Sequence, residues 1–291
     1  PYANIVGDST AGNIQGSTIS EALVVDQAIQ FEKSSVRVAW IEYETMEEIE
    51  REVESIEKVI PEEGLKHLLI FSEGLNVNGS KVVSLANKIF PHVPKTGGLA
   101  GDGTRFHKTF VVADGKPRSN CVVFVGLYGD DLSIGIGCFG GWNEFGIDRV
   151  ITKSKENVLF EIDNQPALKL YKKYLGDYAN ELPASALRFP LSIREVNEHD
   201  GVIRTILGVN EEEQSITFAG DVPEGYLAKL MRPNTNALIG AAQEAAKLAT
   251  RKDFSKGIAI AVSCGGRKIV LGAMVDEELR TICDTLGCEV K

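Results

Sequence analysis

The sequence is poor in the residues that build metal centres and disulfide frameworks. Its 291 residues include five cysteines and four histidines, and no two cysteines form a C-x-x-C pair. An odd number of scattered cysteines favours a reduced, cytoplasmic chain over a disulfide-stabilised one. No His/Cys/Asp spacing indicates a metal site, and no motif indicates a cofactor.

Long apolar runs and basic clusters are also lacking. The longest apolar runs, such as "CVVFVGLYG" (121–129), fall far short of the ~20 residues that span a bilayer. We therefore expect no membrane span, and we expect no secretory signal. The formal net charge of −10, without a basic patch, argues against nucleic acid or an anionic membrane as the main partner. Because the first residue is Pro1, we expect the chain to be a piece of a longer one.

The apolar residues are spaced as in a globular protein with both helices and strands. Apolar residues from Met46 to Ile60 recur at three- and four-residue steps, which predicts an acidic amphipathic helix that ends before Pro61. Further helices are predicted over 80–90, 164–176, 235–251 and 276–287. Alternating patterns predict strands over 21–31, 34–44, 66–73, 106–115, 120–129, 132–142, 190–196, 201–209, 214–220 and 225–232, and an apolar strand before Cys264.

Strands joined as hairpins outnumber strand–helix–strand units in this pattern. We therefore predict an α+β fold in two lobes, with mostly antiparallel or mixed sheets flanked by helices, rather than a doubly wound α/β fold. We place the N-terminal lobe at 1–162 and the C-terminal lobe at 163–291. The alanine-rich face of the 235–251 helix predicts close packing against another element.

The N-terminal lobe contains an internal pseudo-repeat. The stretch "VPKTGGLAGDGTRF" (93–106) follows a predicted strand and helix and precedes paired strands. The opening stretch "NIVGDSTAGNI" (4–14) also precedes paired strands, but no strand and helix come before it. At the far end, a strand and helix over 257–287 are followed by no Gly-rich turn. We therefore expect a strand–helix unit to be missing before Pro1.

One segment, "GLNVNGSK" (74–81), imitates a phosphate-binding P-loop. The motif requires lysine followed by serine or threonine, whereas here Ser80 precedes Lys81. One residue is about 100° of helix rotation, so neither side chain would point at its phosphate or magnesium. We predict a turn in which Asn78 caps the following helix.

Two possible nucleophiles lack a sequence context for catalysis. Ser9 is not in a G-x-S-x-G turn, and no helix is predicted directly after it. Cys264 in "VSCGGRK" precedes two glycines and lies near Arg267, which suits a thiolate, but the sequence ties no histidine to it. A buried cysteine at a strand end is the simpler interpretation. Trp142, between glycines in "GGWNEFG", either closes over a flat or cationic group or fills the interface between the lobes.

Seven motifs in a fixed order resemble the FIST sensory domain, with both its N- and C-terminal parts. They are "GDSTAGNI", "GGLAGDGTRF", "GGWNEFG", "QPALKLYKKYLG", "RFPLSI", "VPEGYLAKLMR" and "SCGGRK". The resemblance covers nearly the whole chain. The chain departs from the family at Asp8, in a variable position, and at Asn13, which replaces an acid. The family also begins with a strand and helix and ends with a Gly-rich segment, both of which we expect to lie outside this chain.

The resemblance implies a non-enzymatic, cytoplasmic module that binds a small molecule such as an amino acid. It also implies a signalling output: a histidine kinase, a diguanylate cyclase or a chemoreceptor-type partner. An oligomer is possible. We expect the two Gly-rich turns to form opposite lips of the ligand pocket, because glycines let the backbone approach a ligand. The candidate ligand-binding residues are Asp8, Ser9, Thr10, Gly12, Gly98, Gly101, Asp102, Trp142, Arg232, Cys264 and Arg267.

An amino-acid ligand would need an anion for its ammonium group and donors for its carboxylate. Asp102 or Asp8 is the candidate anion, Arg232 or Arg267 the candidate donor, and Trp142 the candidate lid. Two other functions remain open from the sequence. One is a hydrolase or transferase that uses Cys264 or Ser9, and the other is a ligand-free scaffold that binds partners through the acidic 46–60 helix.

Overall fold

The computed structural model describes residues 3–21, 24–251 and 257–287. Its strands are β1 (Val6–Asp8), β2 (Asn13–Gln15), β3 (Thr18–Ser20), β4 (Ser35–Glu42), β5 (Leu65–Ser72), β6 (Lys95–Leu99), β7 (Val111–Ala113), β8 (Lys116–Arg118), β9 (Cys121–Tyr128), β10 (Asn143–Lys155), β11 (Val158–Ile162), β12 (Gln165–Pro166), β13 (Leu191–Arg194), β14 (Val202–Arg204), β15 (Ile206–Asn210), β16 (Ser215–Phe218) and β17 (Leu227–Arg232). Its α-helices are α1 (Met46–Val59), α2 (Gly79–Ile89), α3 (Ala167–Leu175), α4 (Thr235–Ala249), α5 (Gly265–Leu271) and α6 (Val275–Leu286).

The N-terminal half is built on a four-stranded sheet in the order β4-β9-β5-β6, which we call the N-terminal sheet. β9 is antiparallel to both of its neighbours, whereas β5 and β6 are parallel. Helices α1 and α2 cover one face through residues such as Ile49, Val53 and Leu85. Strands β1 and β7 cover the other face. Because β9 is buried on both faces, its sequence is continuously apolar rather than alternating.

The C-terminal half is built on an eight-stranded sheet, the C-terminal sheet. Its order is β14-β13-β17-β10-β11-β16-β15, with β12 beside β11, and every pairing is antiparallel. Helix α3 packs on it through Leu168 and Tyr171. Antiparallel and mixed sheets flanked by helices confirm the predicted α+β class. The lobe boundary at 162/163 stays a prediction. The C-terminal sheet contains strands from both sides of this boundary, because β10 pairs with β17 and β11 pairs with β16.

The helices with a clear apolar period are confirmed. Helix α1 buries Ile49, Val53 and Ile56 and ends before Pro61. Helix α2 begins where the P-loop imitation ends, and the Asn78 side chain accepts hydrogen bonds from the backbone N–H of Ser80 and Lys81. The predicted helix cap is therefore correct.

The predicted strand over 132–142 is wrong. This segment runs along α4 instead of pairing with a strand, and its glycines allow the close approach. A Cβ placed on Gly135 or Gly137 would lie 1.7 Å from the carbonyl oxygen of Ala249 or Ala245. The alternation of apolar residues and glycines in 132–142 thus reflects packing against the alanine-rich face of α4. The close packing predicted for this face is confirmed. The long strand β10, which follows directly, was missed because its sequence is mostly polar.

Two further strand predictions are wrong. Residues 24–31 are not in a strand, and Val24 remains 93% exposed. Residues 257–264 form only an isolated bridge at Ala259 before α5 begins. Both segments have strand-forming composition, but composition alone does not supply the neighbouring strand that a ladder requires. Residues 22–23 of the first predicted strand lie outside the described residues.

We predict that Gly137→Ala destabilises the protein. The added methyl group cannot fit unless the 132–142 segment and α4 separate, and overpacking of this kind costs about 1–3 kcal/mol. Gly240→Ala in α4 is the matched control, because a Cβ there meets nothing within 4 Å. Alanine in a helix is favoured over glycine by ~1 kcal/mol, so the control should melt at the same temperature or higher. Equal melting temperatures for Gly137→Ala and the native chain would show that this packing is absent.

Candidate functional site

A polar cavity of about 310 Å³ lies where the N-terminal sheet meets the C-terminal sheet. It is lined by Leu75, Asn76, Phe106, His107, Lys108, Thr109, Ser119, Asn120 and Leu207. All but Leu207, which is on β15, come from loops around the N-terminal sheet. Because Asn76, His107, Lys108 and Ser119 are exposed, the cavity is open to solvent. Its volume is at the small end of the range for metabolite-binding pockets.

One wall of the cavity is held by the buried carboxylate of Glu73, at the end of β5. Its Oε1 accepts hydrogen bonds from the Tyr43 hydroxyl (2.9 Å) and the Asn76 N–H (2.8 Å). Its Oε2 accepts from the Leu75 N–H and the Thr109 hydroxyl, each at 3.0 Å. Three of these four donors belong to cavity-lining residues. Burial and the nearby negative charge of Glu73 raise the pKa of Tyr43, which keeps its hydroxyl a donor.

A second wall of the cavity is held by another buried carboxylate, Asp102. It accepts hydrogen bonds from three successive backbone N–H groups, those of Phe106 (3.1 Å), His107 (2.7 Å) and Lys108 (3.1 Å). Burial alone would raise its pKa, but these donors outweigh burial, so the pKa lies below its usual value. Asp102 thus fixes the loop between β6 and β7 that carries four of the lining residues.

Two side chains of the cavity lining have unused hydrogen-bond donors. Within the described residues, the Lys108 ammonium has no hydrogen-bond or ion-pair partner. The Asn76 amide donates to the Asn120 side-chain oxygen at 3.2 Å, which leaves the Asn120 NH₂ group unused. Phe106 (φ 50°) and Asn120 (φ 47°) both adopt left-handed backbone conformations. For a bulky aromatic residue this conformation is rare and indicates that the surrounding contacts hold the loop in place.

The 74–81 segment, which resembles a P-loop in sequence, connects this cavity to the C-terminal sheet. After Asn76 the chain reaches Asn78, whose amide donates to the Asp221 carboxylate at 2.6 Å. The next residue, Gly79, donates its N–H to the carbonyl of Ala219 (2.9 Å). The Ser80 hydroxyl accepts from Arg204 (3.2 Å) and from the Asp221 N–H (3.0 Å). The segment that resembles a nucleotide site is therefore the main polar contact between the two sheets.

The two Gly-rich turns lie against each other, at the far end of the cavity loop. Gly101 N–H donates to the carbonyl of Ser9 at 2.8 Å. Ser9 also exchanges two hydrogen bonds with Phe110, which follows Thr109. The Thr10 hydroxyl accepts from the Gly12 N–H and donates to Asn13, so it folds its own turn. The turns thus support the loop that lines the cavity, and any ligand contact by Ser9, Thr10, Gly12 or Gly101 stays a prediction.

Asp8 differs from the rest of the opening turn. Its carboxyl is half-buried on β1, and within the described residues it has no hydrogen-bond or ion-pair partner. Burial therefore raises its pKa to about 6. The two candidate anions differ in the hydrogen bonds that they accept. Asp102 accepts three, whereas Asp8 accepts none within the described residues.

The C-terminal turn around Cys264 packs on the opening turn. The Lys268 ammonium donates to the carbonyl of Ala11 at 2.5 Å and also contacts Glu21. The prediction of a buried cysteine at a strand end is wrong, because Cys264 is exposed and follows a segment without a strand. Its sulfur accepts the Arg267 N–H (3.3 Å) and caps α5, and partial desolvation of the sulfur raises the thiol pKa. No histidine in the described residues hydrogen-bonds to Cys264 or to Ser9.

Arg267 is buried and fully engaged within the protein. Its guanidinium pairs with Glu278 (Nε–Oε1 2.7 Å) and donates to the carbonyl oxygens of Gly140 and Leu238, each at 2.7 Å. Trp142 packs beside it, against the cluster of Leu238, Leu271 and Val275. Both residues therefore have a visible structural role, and their predicted contacts with a ligand stay untested predictions.

The remaining two candidate residues lie on other elements. Arg232 is exposed at the end of β17, with its guanidinium 5.5 Å from the centre of the Phe145 ring. Gly98 is on β6, where a Cβ would come within 3.0 Å of Val262. The structure thus brings the two Gly-rich turns and the C-terminal turn together, and it places Arg232 on the C-terminal sheet.

The cavity residues Asn76, Lys108, Ser119 and Asn120 are not predicted from the sequence. One available signal was the segment "TRFHKTF" (104–110), which gathers Arg105, His107 and Lys108 in an otherwise acidic chain. The partnership of this segment with 75–76 and 119–120 depends on hydrogen bonds between distant parts of the sequence, which no local pattern reveals.

Within residues 3–21, 24–251 and 257–287, no cluster of three His, Cys, Asp or Glu side chains suits a metal ion. Cys121, Cys138, Cys264 and Cys283 are free thiols, and Cys288 lies outside this part of the chain. Among the helices of the same ranges, none has both the length and the apolar character to cross a bilayer.

We predict opposite effects of removing the charge at Asp8 and at Asp102. Burial raises the pKa of Asp8 in the folded protein, so the folded protein binds the Asp8 proton more tightly than the unfolded chain does. The stability gained from this proton is present below the usual pKa and is lost as the pH rises through about 6. Asp8→Asn should therefore raise the free energy of unfolding near neutral pH by roughly 1 kcal/mol, after allowance for partial exposure. This gain should vanish as the pH falls towards the usual value of 3.8.

Asp102→Asn is the matched control, and we expect it to change the free energy of unfolding in the opposite direction. Its folded-state pKa is lowered, so its stabilising effect is present above the usual aspartate value and is lost as the pH falls through the lowered value. Asp102→Asn should cost about 1–3 kcal/mol near neutral pH, with a smaller difference in acid. Urea unfolding of both variants between about pH 4 and pH 8 measures this. Effects of the same sign for the two variants at neutral pH would contradict these assignments.

Comparison with known proteins places the chain in a family. The FIST N domain family matches residues 1–165, and the FIST C domain family matches residues 167–291. A similar protein is the uncharacterized protein MJ1623 of Methanocaldococcus jannaschii, 23% identical over an alignment of 310 residues. This alignment covers 95% of the present chain and 57% of that relative, so the chain spans little more than half of the relative's length. No solved structure matches the chain.

FIST domains are sensory domains with predicted small-ligand binding and signalling roles, and they are not a known enzyme family. The predicted resemblance is thereby confirmed over both halves of the chain. With its two Gly-rich turns in contact and a polar cavity between its sheets, the chain belongs to the FIST family, with a FIST N and a FIST C domain.

Proposed function

We propose that this chain is a cytoplasmic ligand-sensing module that binds a small polar molecule, an amino acid or a related metabolite, in the cavity between its two sheets. The observation that carries the proposal is the 310 Å³ cavity whose two walls are each held by a buried carboxylate. Family membership supports a sensory role for the cavity rather than a catalytic one.

The fixed walls favour binding because they reduce the entropy that a ligand must overcome. Glu73 and Asp102 together accept seven hydrogen bonds, five of them from the backbone N–H groups of lining residues, so these loops are ordered before a ligand arrives. Preorganised groups bind more tightly than groups that must be ordered on binding. The Asn76, Ser119 and Asn120 side chains then provide directional hydrogen bonds at the mouth.

The same geometry offers a route from binding to signalling. Leu75 and Asn76 line the cavity, and shortly after them Asn78 donates to Asp221 and Ser80 accepts from Arg204 of the C-terminal half. Leu207 contacts the cavity from β15. A ligand that prefers one arrangement of these contacts would shift the relative position of the two sheets. We propose that a histidine kinase, a diguanylate cyclase or a chemoreceptor-type partner reads this shift, directly or in an oligomer.

A thermal-shift screen of the purified chain against amino acids, nucleotides, purines and small carboxylates tests this proposal. A ligand at about 100 times its dissociation constant adds roughly 2.7 kcal/mol and should raise the melting temperature by a few degrees. Ser119→Trp, which places bulk at the exposed mouth of the cavity, should abolish the shift. Ser133→Trp, exposed and outside the cavity, is the matched control and should preserve it.

Two results would count against the proposal. If no compound in any class stabilises the native chain, the cavity does not act as a sensor for these molecules. If a ligand stabilises Ser119→Trp as much as the native chain, then binding occurs elsewhere, and the opening turn with Asp8 becomes the next site to test.

A further inference from the structure

We propose that the ligand of the cavity is a small anion, a carboxylate or a phosphate, anchored by Lys108, and that the cavity has no subsite for an ammonium group. This inference rests on the proposed function and narrows it, since the family and the fold leave the charge of the ligand open. It follows from which charged and polar groups remain unused at the cavity surface.

Among the described residues that line the cavity, the full charge that is free to contact a ligand is positive. Among the lining residues there is no aspartate or glutamate, and Lys108 is exposed with no ion-pair partner within the described residues. An anion at this position gains a charge-assisted hydrogen bond. The Asn120 NH₂ group and the Ser119 hydroxyl can donate further hydrogen bonds to the same oxygens.

Two carboxylates lie behind the cavity walls, and neither can receive an ammonium group. Glu73 is 1% exposed and Asp102 is 7% exposed. The oxygens of Glu73 accept four hydrogen bonds and those of Asp102 accept three. A ligand cation would have to displace these donors, and a displaced buried N–H costs more than an exposed contact returns. The buried carboxylates therefore position the walls and do not bind the ligand.

The other basic side chains near the cavity differ from Lys108 in their contacts. Arg118, next to the lining residue Ser119, is paired with Glu42 and lies over the Trp40 ring, so it is committed elsewhere. Arg105, on the same loop as Lys108, does not line the cavity and lies within electrostatic reach of the Glu21 and Asp102 carboxylates. Lys108 is therefore the side chain that is left to give an anion a charge-assisted contact.

The experiment uses probes of similar size that differ in their charged groups. Glutarate, glutamate, glutaramide and inorganic phosphate are titrated into the purified chain by calorimetry at low salt. Glutamate adds an ammonium to glutarate, and glutaramide removes both negative charges. We expect glutarate or phosphate to bind, glutaramide to bind at least about tenfold more weakly, and glutamate to bind no more tightly than glutarate. Whichever anion binds more tightly identifies the carboxylate or the phosphate as the recognised group.

Variants at Lys108 test the anchor. Lys108→Met should weaken binding of the preferred anion by about tenfold to a hundredfold, and Lys108→Arg should retain most of the affinity. Lys116→Met, an exposed lysine on β8 outside the cavity, is the matched control and should change the affinity by less than about twofold. Because Lys108 is exposed, its variants should fold, and their unchanged melting temperature without ligand checks this.

Several outcomes would overturn the inference. These are equal affinity for glutaramide and glutarate, much tighter binding of glutamate than of glutarate, no binding of any anion, or full affinity in Lys108→Met. The proposed function fails separately. A neutral ligand whose binding is lost in Ser119→Trp but kept in Lys108→Met refutes the anion and retains the sensor. A screen in which nothing binds refutes both.

Discussion

The arrangement of the cavity depends on one buried carboxylate that pairs with no cation in the described part of the chain. Glu73 is almost fully buried at the end of β5, and a charge in such a position is tolerated only when each of its oxygens is hydrogen-bonded. Four donors from three parts of the sequence meet this requirement: Tyr43, the 75–76 turn and Thr109. The requirement therefore gathers loops that would otherwise be independent, and two of these loops form a wall of the cavity.

The two halves of the chain meet through the segment that follows Glu73. Gly74 fits only because it has no side chain, since a Cβ there would overlap the carbonyl of Ala100 in the second Gly-rich turn. Asn78 then caps α2 and reaches Asp221 with the same amide group. One short stretch of sequence thus closes the N-terminal sheet, lines the cavity and contacts the C-terminal sheet.

The Gly-rich turns have a supporting role around this cavity. Sequence motifs drew attention to Ser9, Gly101 and Asp102, and the structure places them at the two ends of the loop that carries Lys108. Comparable contacts join the opening turn to the C-terminal turn, where a Cβ on Gly265 would lie 3.2 Å from the Ala11 side chain. Ligand contacts by the predicted residues remain predictions, whereas their contacts with one another are visible in the fold.

The sequence by itself determined the α+β class, the periodic helices and the Asn78 cap, because each depends on spacing within a few residues. It misassigned 132–142, where the same apolar–glycine spacing serves helix packing as well as strand pairing. Only the tertiary structure decided the cavity. Glu73 and Asp102 fix the 75–76 turn and the loop that carries Lys108, and the Asn76 amide then donates to Asn120. Leu207 reaches the same cavity from β15, in the other half of the chain. Long-range satisfaction of buried charge is a property of the folded chain and leaves no local pattern.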